Sequence, residues 1–262
     1  MSLPIAVIAG VGARRGLGAA LARRAAAEGL RVVAAGRTRQ HVEEVVDEIA
    51  AAGGLATPWD GDLTREDEVE ALFQGLGQAG SGPLELVVHN LGANTLRPFH
   101  ELTATDFEVA WRVNCLSGFL VARATLAQMA PPAPAEASAG TAGAPLPPPT
   151  QRRTLIFTGA TASLRARPPF TAFACAKAGL RALAQGLARE FGPQGVHVAH
   201  VVIDGVIDGE RARQIAPGLV AARGAAGLLC PEEIAEAYWA LHQQRSSAWT
   251  HELDLRPYRE PF

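Results

Sequence analysis

Lysine, tyrosine and cysteine are scarce in this 262-residue chain, and their scarcity narrows what the chain can do. Of the 24 basic residues, 23 are arginine, and Lys177 is the one lysine. The three cysteines are odd in number and widely spaced, which argues against a disulfide framework or a cysteine-based metal site and favours a reducing compartment. A net charge of -2 gives no reason to expect a nucleic-acid partner, and no apolar run is long enough to span a bilayer. We therefore expect a cytoplasmic protein with no metal, nucleic-acid or membrane partner.

What the chain has instead is a regular alternation of short apolar runs and longer amphipathic ones. The predicted strands span 5–9, 31–35, 55–59, 84–89, 153–158, 196–203 and 252–255. The predicted helices span 16–28, 39–52, 65–76, 104–129, 171–191 and 231–243. Strands that alternate with helices of this length are typical of βαβ units. The predicted fold class is α/β, a doubly wound parallel sheet of about seven strands in a single Rossmann-fold domain over residues 1–262.

Residues 131–150 interrupt this alternation. They contain seven prolines together with alanine, glycine and serine, and Glu136 carries their only charge. Such a composition is typical of a flexible insertion. A disordered surface loop is the plainer interpretation, and a segment that binds a partner is the alternative.

The first strand runs directly into a glycine-rich loop that opens the first helix. The loop reads Gly12-Ala13-Arg14-Arg15-Gly16-Leu17-Gly18. Glycines let the backbone approach a pyrophosphate, and a helix N-terminus offers unpaired N–H groups and a favourable dipole. Glycines also make ordinary tight turns, but the order of strand, loop and helix favours a dinucleotide as the ligand.

The end of the second strand indicates which dinucleotide is expected. An acidic residue usually binds a free ribose 2′-hydroxyl at this place, whereas this strand ends in Gly36-Arg37. Arg37, with Arg14 or Arg15, suits a 2′-phosphate because a guanidinium group binds phosphate oxygens in pairs. We predict NADP(H) in preference to NAD(H), although arginines are common in this chain and are often only solvated.

Further motifs follow in an order that resembles the short-chain dehydrogenase/reductase family over nearly the whole chain. They are Asp62-Leu63 after the third strand, His89-Asn90-Leu91-Gly92 at the end of the fourth, Asn114 on the fourth helix, Lys177 four residues after Phe173, and Asp204-Gly205-Val206-Ile207. The resemblance implies that Asp62 and Leu63 contact adenine and that Lys177 binds the cofactor ribose. It also implies an active-site role for Asn114 and places Asn90, Gly92, Gly205 and Ile207 beside the cofactor.

The same resemblance implies a serine and a tyrosine that this chain lacks. Phe173 stands in the tyrosine position, and the only tyrosines are Tyr238 and Tyr258. Ala160 stands in the serine position, although Thr158, Thr161 and Ser163 lie nearby and are alternatives to the serine. In the family the tyrosine exchanges the proton of the reaction, and positioned acid–base catalysis is worth about 10²–10⁴ in rate. Ordinary ketone reduction by the family mechanism should therefore be slow here. The chain resembles an atypical branch of the family that has phenylalanine at this position and retains the lysine.

Several other side chains are candidate proton carriers. Ser163 and Thr161 donate hydrogen bonds but ionise reluctantly. Asp204 replaces a proline beside the expected nicotinamide pocket, where it is either an acid or the cap of a loop. His89 is more often a hydrogen-bonded structural histidine than an acid. Cys175 is predicted to be a small buried core residue rather than a reactive thiol.

Two functions fit these residues. The first is an NADP(H)-dependent oxidoreductase that reduces an activated C=C or carbonyl group of a small molecule, with residues 210–229 as the substrate lid. Arginines flank the expected mouth: Arg165, Arg167, Arg211 and Arg213. The second is a catalytically silent NADP(H)-binding protein that acts as a redox-responsive partner or scaffold. A subunit that has lost nucleotide binding is disfavoured by the glycine loop and Lys177.

The family resemblance also implies a homodimer or a homotetramer. Phe119, Leu120 and the stripe over residues 180–187 are the candidate contacts between copies. Each of them fits the core of the domain equally well.

Overall fold

A computed structural model describes residues 2–76, 82–94, 96–130 and 151–260. Its strands are β1 (Ile5–Ala9), β2 (Arg31–Gly36), β3 (Leu55–Asp60), β4 (Leu84–His89), β5 (Thr154–Thr158), β6 (His197–Ile203), β7 (Val206–Ile207), β8 (Leu228–Leu229) and β9 (Glu252–Leu255). Its helices are α1 (Leu17–Ala27), α2 (Arg39–Ala51), α3 (Glu66–Leu76), α4 (Ala104–Trp111), α5 (Ser117–Met129), α6 (Thr171–Phe191), α7 (Glu210–Ile215), α8 (Pro217–Arg223) and α9 (Pro231–Gln243). The segment predicted to be a flexible insertion, 131–150, lies outside the described residues.

Seven parallel strands form one sheet in the order β3-β2-β1-β4-β5-β6-β9. The direction of winding reverses between β1 and β4, because the chain first builds outward to β3 and then returns to pair β4 with β1. In such a sheet, ligands bind outside the carboxyl ends of the strands at this switch point. The prediction of an α/β fold with a seven-stranded parallel sheet in a single Rossmann-like domain is confirmed.

Helices cover both faces of the sheet, which is why the inner strands are apolar at almost every position. All five residues of β1 are buried. Ala6 and Ile8 pack with α1, α2 and α9 on one face, whereas Val7 and Ala9 pack with α3, α5 and α6 on the other. This core fixes the strand ends and thereby positions the loops that follow them. None of the helices in the described parts of the chain has the length and apolar character that crossing a bilayer requires.

The helix predicted over 104–129 is confirmed with those bounds, and a π-helical turn at Arg112–Leu116 divides it into α4 and α5. Within and just after this turn, two side chains bond to the carbonyl four residues earlier. Asn114 donates to the Ala110 carbonyl at 2.9 Å and Ser117 donates to the Val113 carbonyl at 2.7 Å. Such bonds compete with the regular helical ladder, and π turns are frequent at functional sites.

The segment predicted to be the lid begins and ends at a second, smaller sheet that the sequence did not indicate. Val206 of β7 pairs with Leu228 of β8, and α7 and α8 lie between the two strands. Strands of two residues carry no alternation that a sequence pattern can reveal.

The residues predicted to join two copies of the chain have different environments. Leu120 and Leu180 are buried in the core beneath the sheet, whereas the Phe119 side chain is 43% exposed. Self-association stays a prediction, and Leu120 and Leu180 are unavailable for it.

Candidate active site

Close backbone contacts shape the loop between β1 and α1. A Cβ on Gly18 would come well inside 3.0 Å of the Gly10 carbonyl, and a Cβ on Gly36 would do the same to the Val11 carbonyl. A Cβ on Gly12, in contrast, meets nothing within 4 Å. Gly18 and Gly36 therefore allow α1 and the end of β2 to pack against the loop, whereas Gly12 borders open space.

The first turn of α1 leaves backbone amides available at this open space. Gly16 is the N-cap residue and offers no side-chain cap. Leu17 is buried in the core, so only its backbone faces the loop region. Uncapped N–H groups and the helix dipole together favour an anion. The loop therefore fits a pyrophosphate group.

The three arginines predicted to bind a 2′-phosphate have different surroundings. Arg14 forms an ion pair with Glu48 of α2, and Arg15 lies 3.8 Å from Asp208. Arg37 is exposed directly after β2, and no described residue forms an ion pair with it. The end of β2 therefore carries one uncommitted guanidinium group.

The end of β4 is joined to the glycine loop and to the π-helical turn. Asn90 donates from Nδ2 to a backbone carbonyl of the glycine-loop region at 3.2 Å. Asn114 is fully buried; it donates to the Ala93 carbonyl at 3.0 Å and accepts from the Ala93 amide at 3.2 Å. A Cβ on Gly92 would stand 3.7 Å from Asn114 Oδ1 and 3.8 Å from Lys177 Nζ. Four predicted site residues thus converge just beyond this strand.

Lys177 is a buried cation that connects the ends of two strands. Its Nζ donates to the Leu91 carbonyl at 3.1 Å and to the Thr158 carbonyl at 2.9 Å, and the residue is 3% exposed. Burial lowers its pKa to about 8, because the ammonium group has lost its hydration. An ammonium group has three N–H bonds, and the two carbonyls accept two of them.

The residues in the tyrosine and serine positions offer no hydroxyl group. The Phe173 ring is buried, and its centroid lies 5.9 Å from Lys177 Nζ. Ala160 follows β5 and donates its N–H to Ser163 Oγ at 3.1 Å. Ser163 is itself buried, and this bond leaves its hydroxyl proton without an acceptor among the described residues.

Asp204 is a buried carboxylate surrounded by donors. Thr161 donates to its Oδ1 at 2.6 Å, and Arg165 and Arg256 lie 3.3 Å and 3.2 Å from its Oδ2. Charge-assisted bonds of this kind fix the position of the Asp204 side chain. This arrangement favours the structural interpretation of Asp204 over the acid that the sequence also allows.

His89 and Cys175 have surroundings that decide between their alternatives. His89 is fully buried, with Nε2 2.8 Å from Ser117 Oγ. Because that hydroxyl group donates to a helix carbonyl, His89 Nε2 carries the proton. Burial lowers the His89 pKa to about 3, which fits a neutral structural histidine. Cys175 is exposed, so the prediction that it is buried is wrong; two residues past Phe173 is about half a turn around α6.

Four further residues predicted to contact the cofactor have fold contacts in this structure. Asp62 Oδ1 accepts two hydrogen bonds from Thr64, from its amide at 3.0 Å and from its hydroxyl group at 2.8 Å. Leu63 is a core residue, so its side chain has no exposed surface for an adenine ring. Gly205 lies against Pro257, since a Cβ there would be 2.8 Å from the proline Cδ. Ile207 belongs to β7 and is half-buried.

The predicted lid is in direct contact with the end of β4. Arg211 of α7 donates to the Gly92 carbonyl at 2.9 Å. Arg213 forms an ion pair with Asp208 at 2.7 Å, just before the same helix. Among the four arginines predicted at the mouth, three are thus engaged within the protein, and Arg167 is exposed.

Sequence reasoning missed a polar cluster on β6, α6 and β9. His200 is fully buried in β6, and its Nδ1 lies 3.0 Å from Glu252 Oε2. Arg181 donates to both carboxylate oxygens of Glu252, at 2.6 Å and 2.8 Å. A histidine at an otherwise apolar strand position was the one available signal. No group of three or more potential metal ligands is arranged around a common point in the described residues.

These features define a nucleotide-binding type of site at the switch point of a Rossmann-like sheet. A family model described as short chain dehydrogenase matches residues 5–219. The chain belongs to the short-chain dehydrogenase family.

Three similar proteins illustrate the membership. A crystal structure of a short-chain dehydrogenase from Rhodopseudomonas palustris is 36% identical, covers 98% of this chain and 99% of that one, and has a TM-score of 0.75. The uncharacterized oxidoreductase YuxG of Bacillus subtilis is 30% identical over 202 residues, which is 76% of this chain and only 26% of YuxG. A single-residue variant of actinorhodin polyketide ketoreductase, crystallised with NADPH, covers all of both chains with a TM-score of 0.81 at 19% identity, and so shows the fold alone.

Proposed function

We propose that the chain is an NADP(H)-dependent oxidoreductase that acts on an activated C=C or carbonyl group of a small molecule without a tyrosine acid. In this proposal it belongs to an atypical branch of the family, with Phe173 in the tyrosine position and Ala160 in the serine position. The observation that carries the proposal is the environment of Lys177.

A site that serves packing alone does not explain why a charged side chain is buried at Lys177. Removing a cation from water costs free energy unless partners compensate, and two backbone carbonyls do so only in part. The third N–H bond remains for a bound group beside Gly92 and Asn114. A compact ammonium group suits two neighbouring hydroxyl groups, such as those of a ribose, better than a guanidinium fork does.

The residues around the glycine loop fit a dinucleotide. The open space at Gly12 and the uncapped start of α1 would receive the pyrophosphate, and Asn90 and Gly92 border the path from there to Lys177. Arg37 would bind a 2′-phosphate, because it is exposed and forms no ion pair with a described residue.

Bound nicotinamide supplies or takes up a hydride, and the chain's own residues determine what else the site can do. Lys177 places a positive charge where negative charge on a substrate oxygen is stabilised. Phe173 keeps water from one side of the site but has no proton to give. Substrates that are protonated at carbon by water therefore fit better than simple ketones.

The first experiment is calorimetric titration of the wild type with NADPH, NADP⁺ and NADH. We expect NADPH to bind with micromolar affinity and the substitution Arg37→Gln to weaken it by about tenfold or more, since a hydrogen bond to a charged group contributes roughly 1.5–3 kcal/mol. Arg39→Gln is the matched control, because Arg39 pairs with Glu43 at 2.7 Å and should not matter.

Turnover is then measured on enones, acyl thioesters and ketones. Activity should survive Phe173→Ala and fall sharply with Lys177→Met. Equal rates for the wild type and Lys177→Met would rule out this mechanism. Binding of NADPH without turnover of any substrate would favour the silent nucleotide-binding protein, and no binding of any nucleotide would exclude both.

A further inference from the structure

His200 has an unused nitrogen atom directed toward the turn that carries Ala160 and Ser163. Its Nδ1 is bonded to a carboxylate, which accepts and cannot donate, so Nδ1 carries the ring proton. Nε2 therefore presents a bare lone pair. That atom is fully buried and has no hydrogen-bond partner among the described residues. An unsatisfied buried acceptor is costly, so a functional explanation is called for.

Gly159 leaves room for this nitrogen atom to approach the turn. A Cβ on Gly159 would fall inside 3.0 Å of His200 Nε2 and would lie 3.0 Å from Ser163 Oγ. The nitrogen and the hydroxyl oxygen thus face each other across a glycine, within the span of one bridging water molecule. Ser163 Oγ accepts from the Ala160 amide and donates to no described residue, whereas the Thr161 hydroxyl group is committed to Asp204.

The place of this pair is the carboxyl end of β5, where a doubly wound sheet binds its ligands. Gly159 is the first residue after β5, and its amide is bonded to the Val201 carbonyl of β6 at 2.7 Å. The pair therefore lies at the end of β5, where the Thr158 carbonyl accepts from Lys177, and not with the glycine loop.

We infer that His200, oriented by Glu252, is a positioning residue that accepts a proton from Ser163 during the reaction. The inference rests on the proposed function and names a proton path in place of the missing tyrosine. In alcohol oxidation, the substrate O–H proton passes to Ser163 and the Ser163 proton passes through one bridging water molecule to His200 Nε2, and bound oxidised nicotinamide would accept the hydride from carbon. The imidazolium then releases its proton to water, and in reduction the same path runs backward.

The surroundings of His200 favour its neutral form, so a proton that it accepts is bound only transiently. Burial lowers the His200 pKa to about 4, the Glu252 carboxylate opposes that shift, and Lys177 and Arg181 of α6 add to it. The bare form is therefore the populated one near neutral pH. The same logic of a carboxylate that fixes a histidine tautomer operates in hydrolytic triads.

The test compares His200→Gln with His197→Gln. Both histidines are buried in β6, but His197 stacks on Trp249 at 4.9 Å and bonds to the Thr250 carbonyl, away from the turn. We expect His200→Gln to lower kcat by about tenfold to a hundredfold. KM and the NADPH dissociation constant should stay within about twofold, and His197→Gln should change none of the three. Ser163→Ala should reproduce the loss of kcat, and the double variant should be no slower than either single one.

A readout without turnover is the ¹⁵N spectrum of the histidine rings, in which His200→Gln identifies the signal. The inference requires a protonated Nδ1 and a bare Nε2 in the wild type above pH 6. A proton on Nε2, or an unchanged kcat in His200→Gln and Ser163→Ala, would overturn the inference while leaving the proposed function intact. A wild type that binds NADPH and turns over nothing would overturn the proposed function and the relay together.

Discussion

The two halves of the sheet use their strand ends in different ways. At β1, β2 and β4, the geometry depends on glycines, which have no side chain. Gly18 and Gly36 allow close contact between backbone segments, and Gly12 leaves open space beside the loop. At β5, β6 and β9, the geometry is set by charged side chains and their polar partners. Asp204 accepts a hydrogen bond from Thr161, and Glu252 is bonded to His200. In the first half, a side chain at Gly18 or Gly36 would clash with the backbone, whereas the second half can exchange one polar network for another.

This difference explains how the chain departs from the family pattern without losing the fold. Most residues implied by the resemblance for the cofactor are present around the glycine loop, whereas the departures Ala160, Phe173 and Asp204 fall in the half that depends on side chains. Where a hydroxyl group is lost, a neighbouring side chain can take over its contacts, as the Ser163 hydroxyl group does when it accepts from the Ala160 amide. Substrate chemistry is therefore the part of this fold that is freer to change.

The largest expected effect separates two glycines of the same loop. Gly18→Ala should destabilise the protein by about 3 kcal/mol or more, because its Cβ would collide with a backbone carbonyl that cannot move aside. Gly12→Ala should leave stability nearly unchanged but weaken NADPH binding, because its Cβ would occupy only the open space. Denaturant unfolding and calorimetry on both variants measure the two effects. Equal nucleotide affinity in Gly12→Ala and the wild type would show that the pyrophosphate is not bound there.

A smaller effect concerns Lys177, which joins the two halves. Its pKa is lowered to about 8 in the folded protein from 10.5 as the ordinary value. Between these two values the unfolded chain binds more protons, so the free energy of unfolding should rise with pH. Relative to Lys177→Met, the wild type should gain on the order of 2 kcal/mol between pH 7 and pH 10.

Urea unfolding of both proteins across that pH range measures the difference, in which the contributions of other groups cancel. If the difference in the free energy of unfolding between the two proteins does not change with pH, the Lys177 ammonium group is still hydrated in the folded protein.

The sequence predicted the strands and helices of both halves but not the side-chain contacts of the second, for a physical reason. Strand periodicity and glycine spacing are local signals, so β1, the loop and β4 were predicted at their observed positions. The contacts of the second half join residues far apart in the chain, as His200 and Glu252 do, and no local pattern encodes them. Leu63 shows the same limit, because its position in a motif did not reveal that the core takes its side chain.

The smallest expected effect concerns the contact between the halves at the lid. Arg211 donates to the Gly92 carbonyl, so an α7 that is held there narrows access to the space beside Lys177. Arg211→Ala should speed both binding and release of NADPH by several-fold, with a change in stability within about 0.5 kcal/mol, because the side chain is exposed. Stopped-flow fluorescence measures both rates, and Gln214→Ala is the control, since Gln214 bonds only to Glu210 of the same helix. If both variants exchange NADPH at the wild-type rate, α7 does not gate the cofactor, and the two halves are joined through Lys177 instead of through the lid.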